Sequence, residues 1–176
     1  ASEKIRIDGS GRLLINRTSS RAISGDNAKL QVENPSSGLL SLLRTSNDNG
    51  AAWLAIAKSR SAAGAVCQAG DQIGGIAFTP HDGTDLNHHA AEIRSYVGVG
   101  IGTDDTPGYL SFHTNSGAST TTERLRLLSD GGLRLVKTGG NGNFTISRNE
   151  SVTSDDATVG VIDFANNTAH TVNSRI

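Results

Sequence analysis

Four of the five histidines, His81, His88, His89 and His113, lie within one third of the chain and are the first side chains to consider for chemistry. A protein-held metal needs several ligands that converge on one point. His88 and His89 are adjacent, so on a strand they would point to opposite faces. In an oligomer, copies of one histidine could still meet at a symmetry axis. The sequence therefore predicts no metal ligand and leaves metal binding by these four histidines open.

Carboxylates are the next candidates, because calcium takes oxygen ligands from aspartate and glutamate. Asp82, Asp85, Asp104 and Asp105 lie in two short polar stretches. Their spacing does not match the calcium-binding loop of an EF-hand. Aspartate is also a common turn residue, since its side chain accepts hydrogen bonds from nearby backbone N–H groups. Turn capping is the predicted role of all four.

Signals for catalysis are weak. Glycoside hydrolysis needs two carboxylates across a sugar, but Glu92 stands alone beside Arg94, which favours a structural ion pair. No Gly-x-Ser-x-Gly nucleophile elbow is present. Residues 98–102, Gly-Val-Gly-Ile-Gly, lack the third glycine position and the helix of a dinucleotide-binding loop, so they predict a turn or a close chain approach. We predict no catalytic residue, no cofactor-binding residue and no cofactor.

Trp53 and Cys67 are the single tryptophan and the single cysteine. Tryptophan serves both carbohydrate-binding surfaces and cores, and the apolar neighbours of Trp53 favour packing. One cysteine allows neither an intrachain disulfide nor a cysteine metal cluster. Cys67 is predicted to be a small buried apolar residue, with an interchain disulfide as the alternative.

Composition restricts the possible partners. The net charge of −1 does not provide the excess positive charge that would favour binding to nucleic acid or an anionic membrane. No apolar run approaches the roughly 20 residues that cross a bilayer, so no membrane insertion is predicted. Aromatic residues make up only 4% of the chain, which predicts a thin core. A thin core is commonly stabilised by oligomerisation.

One stretch of the sequence occurs twice. Residues 3–15 and 123–135 match at an offset of 120 positions, with Glu3 and Arg6 matching Glu123 and Arg126. In both copies, apolar residues alternate with polar ones on either side of a glycine-containing turn, which predicts a β-hairpin. The repeat suggests a slice of a longer array. We predict that the apolar members and the tryptophan pack in a core or a trimer interface: Ile5, Ile7, Leu13, Ile15, Trp53, Leu125, Leu127, Leu133 and Leu135.

The rest of the chain also has the pattern of short strands. They are predicted at 29–33, 39–44, 53–58, 72–78, 90–97 and 109–113, with turn-forming residues between them. No segment has a helical apolar stripe over three turns. The predicted class is all-β, with short antiparallel strands and hairpins in a sandwich-like or interleaved trimeric fibre module. We place one β module at 1–136, which begins with the end of a preceding repeat, and the start of another at 137–176, after a glycine-rich joint.

Several spaced blocks of the sequence carry a family likeness. Residues 70–78 and 82–83 match a "GDxLGxIxFxGxDG" pattern, 90–94 match "AAxIR", 106–112 match "PGxLxFxT", and 122–126 with 129–131 match "ERLRI" and "SxG". In this order the blocks resemble the repeat of tailed-bacteriophage tail fibre and tailspike proteins. The likeness covers about residues 1–136 and is faint over 137–176.

The resemblance implies an elongated, mostly β homotrimer that forms a shaft in the tail fibre of a virion, outside the cell. Its partners would be other tail or fibre proteins. Many relatives end in a self-cleaving chaperone domain, and nothing in this sequence matches that domain. The expected function is therefore structural support of host attachment without enzymatic activity. The alternatives are a receptor-binding domain that contacts a host surface glycan or receptor, a glycan-degrading tailspike, and an unrelated extracellular β-rich appendage.

Overall fold

The computed structural model describes residues 3–36 and 38–137, and the backbone of Asp163–Ala165 and Val172–Arg175. The chain divides into two compact units, Ala1–Thr138 and Gly139–Ile176. Every regular element in the described residues is a β-strand, so the all-β prediction is confirmed. No helix in this part of the chain is long and apolar enough to cross a membrane.

A three-stranded sheet lies at the start of the first unit. It contains β1 (Ile5–Ile7), β2 (Leu13–Ile15) and β3 (Leu30–Val32), in that order. β1 and β2 form the predicted antiparallel hairpin. β3 pairs with β2 in parallel, which the antiparallel prediction did not foresee. The 14 intervening residues, 16–29, make this crossover without a helix, so no local pattern in the sequence marked the parallel pair.

A five-stranded antiparallel meander forms the larger sheet. Its strands are β4 (Gln72–Phe78), β5 (Ala91–Val97), β6 (Gly108–Thr114), β7 (Thr122–Leu127) and β8 (Leu133–Leu135), and each pairs with the next along the chain. The predicted strands at 72–78, 90–97 and 109–113 agree with β4, β5 and β6 to within one residue at each end. Sequential antiparallel pairing of this kind needs no crossover, and polar stretches connect the strands.

The register of the larger sheet separates apolar from polar side chains. Because side chains alternate along a strand, residues paired across the sheet share one face. We call one side the apolar face, whose central row is Ile76, Ile93, Phe112, Leu125 and Leu135 and whose next row includes Leu110, Leu127 and Leu133. We call the other side the polar face; its paired rows contain Glu92, His113 and Glu123, then Arg94, Ser111, Arg126 and Arg134, then Tyr96 and Tyr109.

The two copies of the repeated stretch fold into hairpins of identical register. Ile5 pairs with Ile15 and Ile7 with Leu13 in β1–β2. β7–β8 repeats these pairs 120 positions later, as Leu125 with Leu135 and Leu127 with Leu133. Equivalent residues therefore occupy equivalent places in the two sheets.

The turns of the two hairpins are also alike. In the first, the Gly11 amide donates to the Asp8 carbonyl at 2.9 Å, and in the second the Gly131 amide donates to the Leu128 carbonyl at 3.0 Å. Gly11 and Gly131 have φ angles of 67° and 86°. A side chain is disfavoured in this left-handed region, so glycine fits the turn at both places.

Residues 39–58, which we call the open segment, contain two predicted strands that do not form within one chain. No backbone–backbone hydrogen bond connects this segment to another described residue. The strand predictions at 39–44 and 53–58 are therefore wrong for the single chain. The physical reason is that a strand forms only where a neighbouring backbone pairs with its N–H and C=O groups. An apolar sequence pattern indicates that side chains are buried, but it does not show that such a neighbour exists.

The second unit is described only at two strands. β9 (Asp163–Ala165) and β10 (Val172–Arg175) pair antiparallel, with an irregularity between Val172 and Ser174. The predicted boundary near 136 and the nature of a module at 137–176 stay predictions.

The turn geometry gives a first test, by substitution of Gly11 with alanine. Gly11→Ala forces a Cβ into the left-handed region and is expected to destabilise the hairpin by about 1 kcal/mol. Gly9→Ala is the control in the same turn, because Gly9 has open space and no left-handed φ. Urea unfolding at fixed protein concentration measures both variants. Equal losses of stability in the two variants would contradict this account of the turn.

Candidate functional site

Glu92 is the centre of the polar face. It is the one acidic side chain buried within the described residues. Its carboxylate accepts hydrogen bonds from Arg94 Nη2 and Thr121 Oγ1, and one from His89 Nδ1 at 2.8 Å. The predicted ion pair of Glu92 with Arg94 is confirmed, and the partners Thr121 and His89 are additions that the sequence did not indicate.

The Glu92 cluster has a definite charge state. Burial raises the pKa of Glu92, but the hydrogen bonds from Arg94, Thr121 and His89 outweigh it and lower the pKa to about 2. The same contact with Glu92 raises the pKa of Arg94. The cluster is thus a carboxylate–guanidinium pair across the neutral pH range. A general acid would need a raised carboxyl pKa, so this environment favours a structural role for Glu92.

Ser111 and His113 form a second buried polar pair on β6. Ser111 is fully buried, and its Oγ lies 2.9 Å from His113 Nε2. Burial, with a smaller effect of nearby Arg94, lowers the pKa of His113 and keeps the imidazole neutral. A buried hydroxyl beside a neutral histidine resembles part of a catalytic triad, but Ser111 has no access to a substrate from solvent.

An aromatic pair lies beside the buried centre of the polar face. The rings of Tyr96 and Tyr109 stack with centroids 5.0 Å apart and an interplanar angle of 14°. The Arg126 guanidinium lies 4.1 Å from the centroid of Tyr109, a cation–π contact. Arg126 Nε also donates a hydrogen bond to Glu123 Oε1, at 3.0 Å. Arg94 Nη1 donates to the Tyr96 hydroxyl at 3.2 Å, so this aromatic pair is joined to the Glu92 cluster. Sequence reasoning misses both tyrosines, although their period-two spacing with Arg94 and Ser111 is a usable signal.

Three buried nitrogen atoms of the polar face have no hydrogen-bond partner among the described residues. They are His89 Nε2, Arg94 Nε and His113 Nδ1. Buried polar groups are nearly always paired. No protein group in the described residues pairs with these three atoms.

The four histidines do not converge on one point. His88 Nδ1 lies 3.2 Å from Asp82 Oδ2, while His89 contacts Glu92 and His113 contacts Ser111. His81 Nδ1 accepts the Gly83 amide hydrogen within its own turn, at 3.0 Å. His88 and His89 lie in the loop between β4 and β5 rather than on a strand, and they have different partners.

Asp82, Asp85 and His88 form a small cluster whose ligand atoms lie within 4.8 Å of one another. Asp82 caps the turn, because Oδ1 accepts the Thr84 and Asp85 amide hydrogens at 2.8 and 3.0 Å. These two hydrogen bonds lower the pKa of Asp82 to about 2. Asp85 caps the next turn through the Asn87 amide, at 2.9 Å. Turn capping is confirmed for both aspartates.

The predicted packing residues lie on open surfaces of the single chain. Ile15 and Leu125 are half-buried. The other members of the set are exposed, in contrast to Leu14 and Val97, the only buried apolar residues in the described part. The apolar face is therefore not covered, and the face-to-face packing of a sandwich is not seen. The exposed members are Ile5, Ile7, Leu13, Trp53, Leu127, Leu133 and Leu135.

The open segment touches the apolar face at one point. The side chain of Ile56 occupies the space that a Cβ on Gly74 would take, and both residues line a recess of about 190 Å³ with Ile93 and Leu110. Gly74 thus permits the segment to approach β4 closely. Most of the segment remains uncovered: Leu43 is 86% and Trp53 85% exposed. Trp53 is consequently not a core residue of the single chain.

Two further sequence predictions have clear outcomes. Gly98 donates to the Pro107 carbonyl at 2.7 Å, and a Cβ there would meet the Pro107 backbone at 3.1 Å, which confirms a close chain approach at 98–102. Cys67 is partly exposed rather than buried, with Sγ 3.4 Å from the Lys58 carbonyl oxygen. Its thiol is unpaired within the described residues.

Comparisons with known proteins identify the fold. Neither a protein-family model nor a curated protein sequence matches the chain. Two similar solved structures are the carboxy-terminal domain of the bacteriophage T5 L-shaped tail fibre, without and with its intramolecular chaperone domain. The first has a TM-score of 0.60 at 16% identity, over 89% of this chain and 67% of that one. The second has a TM-score of 0.60 at 15% identity, over 98% of this chain, which spans half of that one.

Replacement of Glu92 with glutamine tests the polar face. Glu92→Gln leaves Arg94 without its carboxylate and is expected to cost about 3 kcal/mol of folding free energy at neutral pH. The folded-state pKa is below the ordinary value of 4.5, so the carboxylate's contribution is full above pH 4.5 and is lost as pH falls towards about 2. Urea unfolding across this interval should therefore show a weaker pH dependence in the variant.

Glu123→Gln is the matched control. Glu123 also pairs with an arginine, but the pair is more exposed and Arg126 keeps its contact with Tyr109, so the expected cost is under about 1 kcal/mol. If Glu92→Gln retained the wild-type pH dependence between pH 4.5 and about 2, Glu92 would not be the group responsible.

Proposed function

We propose that the chain is a structural segment of a bacteriophage tail fibre, in which three copies bundle into a shaft that supports host attachment. The observation that carries the proposal is the open apolar face of the five-stranded sheet. Its rows cross all five strands, yet no second layer of the described chain covers them. A large uncovered apolar surface marks an interface.

The free energy of burying apolar side chains favours covering the apolar face with other copies of the chain. Burial of one leucine, isoleucine or phenylalanine side chain contributes about 1.5–3 kcal/mol. The apolar face and the open segment offer many such side chains, whereas one chain buries only Leu14 and Val97 within the described part. Assembly would therefore contribute a large part of the stability of the folded state.

The open segment supports the same proposal through its backbone. An extended stretch without pairing partners can add to a sheet edge of a neighbour, as in β-augmentation. β4 and β8 are edge strands of the larger sheet and offer such edges. In this arrangement the two strands predicted at 39–44 and 53–58 form only between chains.

The number of copies and the biological role rest on two likenesses. The sequence blocks resemble tail fibre and tailspike repeats, whose members are homotrimeric shafts. The fold is similar to the carboxy-terminal domain of the T5 tail fibre. Three sheets that turn their apolar faces inward make a closed prism, which suits a stiff rod. The segment would contact other tail or fibre proteins at its ends, in the virion tail.

The role we propose is mechanical and non-enzymatic. The acidic side chain buried in the described part, Glu92, is held by Arg94, Thr121 and His89. Asp82 and Asp85 are engaged as turn caps. These carboxylates serve structure, which speaks against a glycan-degrading tailspike. Polar groups committed to one another in this way give the sheet rigidity.

Receptor binding is the second candidate, and the exposure of Trp53 favours it. A solvent-facing indole ring suits a carbohydrate surface. A Trp53→Ala variant separates the two functions. Loss of glycan or host-cell binding with an intact assembly would indicate a receptor site, whereas loss of the assembly would indicate packing between chains.

A charge placed in the open segment tests the assembly. Light scattering of the purified chain is expected to give the mass of three copies. Leu43→Asp should shift the population to single chains, because the carboxylate would have to enter an apolar interface. A shift of at least tenfold in the dissociation constant is expected, equivalent to about 1.4 kcal/mol.

Ser41→Asp is the matched control, since it adds the same charge to the same segment at a polar position. It should leave the mass of the assembly unchanged. A monomeric wild-type chain with a well-ordered sheet at high concentration would overturn the bundle, and so would an identical response of the two variants.

Immunogold electron microscopy tests the biological role. Antibodies raised against the purified chain are expected to label the tail fibres of the particle that carries this protein, along their length. Label on the capsid, or on no part of the particle, would contradict a fibre segment. Label confined to the distal tips would favour the receptor-binding alternative.

A further inference from the structure

Within the described residues, β1 has one edge without a pairing partner, whereas β7, its counterpart in the repeated stretch, is paired on both edges. β1 lies at the edge of the three-stranded sheet, paired only with β2. β7 pairs with β8 in the same register and also with β6 on its other side. The outer edge of β1 therefore corresponds to the edge of β7 that β6 occupies.

β1 and β7 are equivalent in their side-chain contacts as well as in their backbone pairing. Arg6 donates to Glu3 with Nε–Oε1 at 3.0 Å, and Arg126 donates to Glu123 with Nε–Oε1 at 3.0 Å. Each pair joins residues three positions apart; Glu3 precedes β1, whereas Glu123 lies within β7. β1 thus already has the side-chain arrangement that β7 has when it is paired.

The surfaces differ where β6 provides cover. Ile7 is 75% exposed, whereas its counterpart Leu127 is 43% exposed. The side chains of Glu3 and Arg6 are 34% and 43% exposed, against 17% and 26% for Glu123 and Arg126. The strand and side chains of β6 account for this difference, because β6 is the neighbour that β7 has and β1 lacks.

β6 contributes a defined set of contacts to β7. Leu110 pairs with Leu127 and Phe112 with Leu125 on the apolar face. On the polar face the Tyr109 ring lies under the Arg126 guanidinium at 4.1 Å. A strand that replaced β6 would need this alternation of tyrosine and apolar side chains. Backbone pairing would supply affinity, and the side-chain pattern would supply selection.

We propose that the outer edge of β1 is a docking site for a β6-type strand, an extended strand with the pattern of Gly108–Thr114, from another module of the same kind. The register of this docking follows from the pairing of β6 with β7. The Leu110 equivalent lies opposite Ile7, the Phe112 equivalent lies opposite Ile5, and the Tyr109 equivalent stacks under Arg6. Docking converts the three-stranded sheet into the continuation of a neighbouring module's meander and joins modules edge to edge.

A fusion protein tests the docking site. Residues 72–122 are placed a second time directly ahead of Glu3 in the full chain, because Thr122 precedes Glu123 in the natural copy. Hydrogen exchange of residues 3–7, followed by mass spectrometry, is expected to slow by at least about tenfold relative to the unfused chain. A fusion with Ser111→Pro in the added copy is the control, since proline prevents β6-type pairing and should restore fast exchange.

Cysteine pairs test the register in a Cys67→Ser background. Leu110→Cys in the added copy with Ile7→Cys should form a disulfide readily, and the same Leu110→Cys with Ile5→Cys should not. The unfused chain with Leu110→Cys and Leu127→Cys provides the reference yield for this pair. Similar yields at Ile7 and Ile5 would overturn the proposed register.

Other outcomes would overturn the proposal itself. Unchanged exchange of residues 3–7 in the fusion would do so, and so would an added copy that stays unprotected, because β1–β2 should complete its sheet as β7–β8 does. Protection of residues 3–7 in the unfused chain that rises with concentration would show that a second copy takes this edge instead. The inference is independent of the tail-fibre proposal: a monomeric fusion with protected residues 3–7 would support docking and contradict the trimer.

Discussion

The fold depends on one constraint: the five-stranded sheet has two faces, and the described residues bury the centre of its polar face but leave its apolar face open. The centre of the polar face is buried within the chain, at Glu92, Ser111 and His113. Beside it, Tyr96 stacks on Tyr109, and the Arg126 guanidinium lies over the Tyr109 ring. The apolar face has no equivalent layer in the described chain. A globular enzyme domain would bury the apolar rows and leave the polar ones to solvent. The reverse burial is what favours an assembly over an isolated domain.

This division also assigns different physical roles to the two faces. Hydrogen bonds and ion pairs are directional, so the polar face fixes the strands in one register. Burial of apolar area is non-directional and increases with the area covered, so the apolar face suits association along a rod. In the proposed shaft, adjacent modules would need a connection that keeps the assembly stiff. Sheet pairing at the edge of β1 would provide it, because backbone hydrogen bonds resist bending better than a flexible linker.

Much of the fold could be predicted from the sequence, since it depends on local patterns. The hairpins follow from alternation around Gly11 and Gly131, and β4 to β6 follow from period-two runs bounded by turn residues. The parallel pairing of β3 with β2 and the absence of strands in the open segment were not predicted. Both depend on which backbone lies alongside, and alternation along one segment carries no information about its neighbour.

The candidate site also has features that the sequence predicts and features that it does not. The sequence by itself determined the Glu92–Arg94 pair, the turn caps at Asp82 and Asp85, and the matching hairpins, because each joins residues close in sequence. Only the tertiary structure decided that Ser111 and His113 are buried and that Trp53 faces solvent. Burial is a property of the whole packed sheet: a side chain is covered or open according to strands far away in the sequence, and their positions are set by pairing rather than by local residue type.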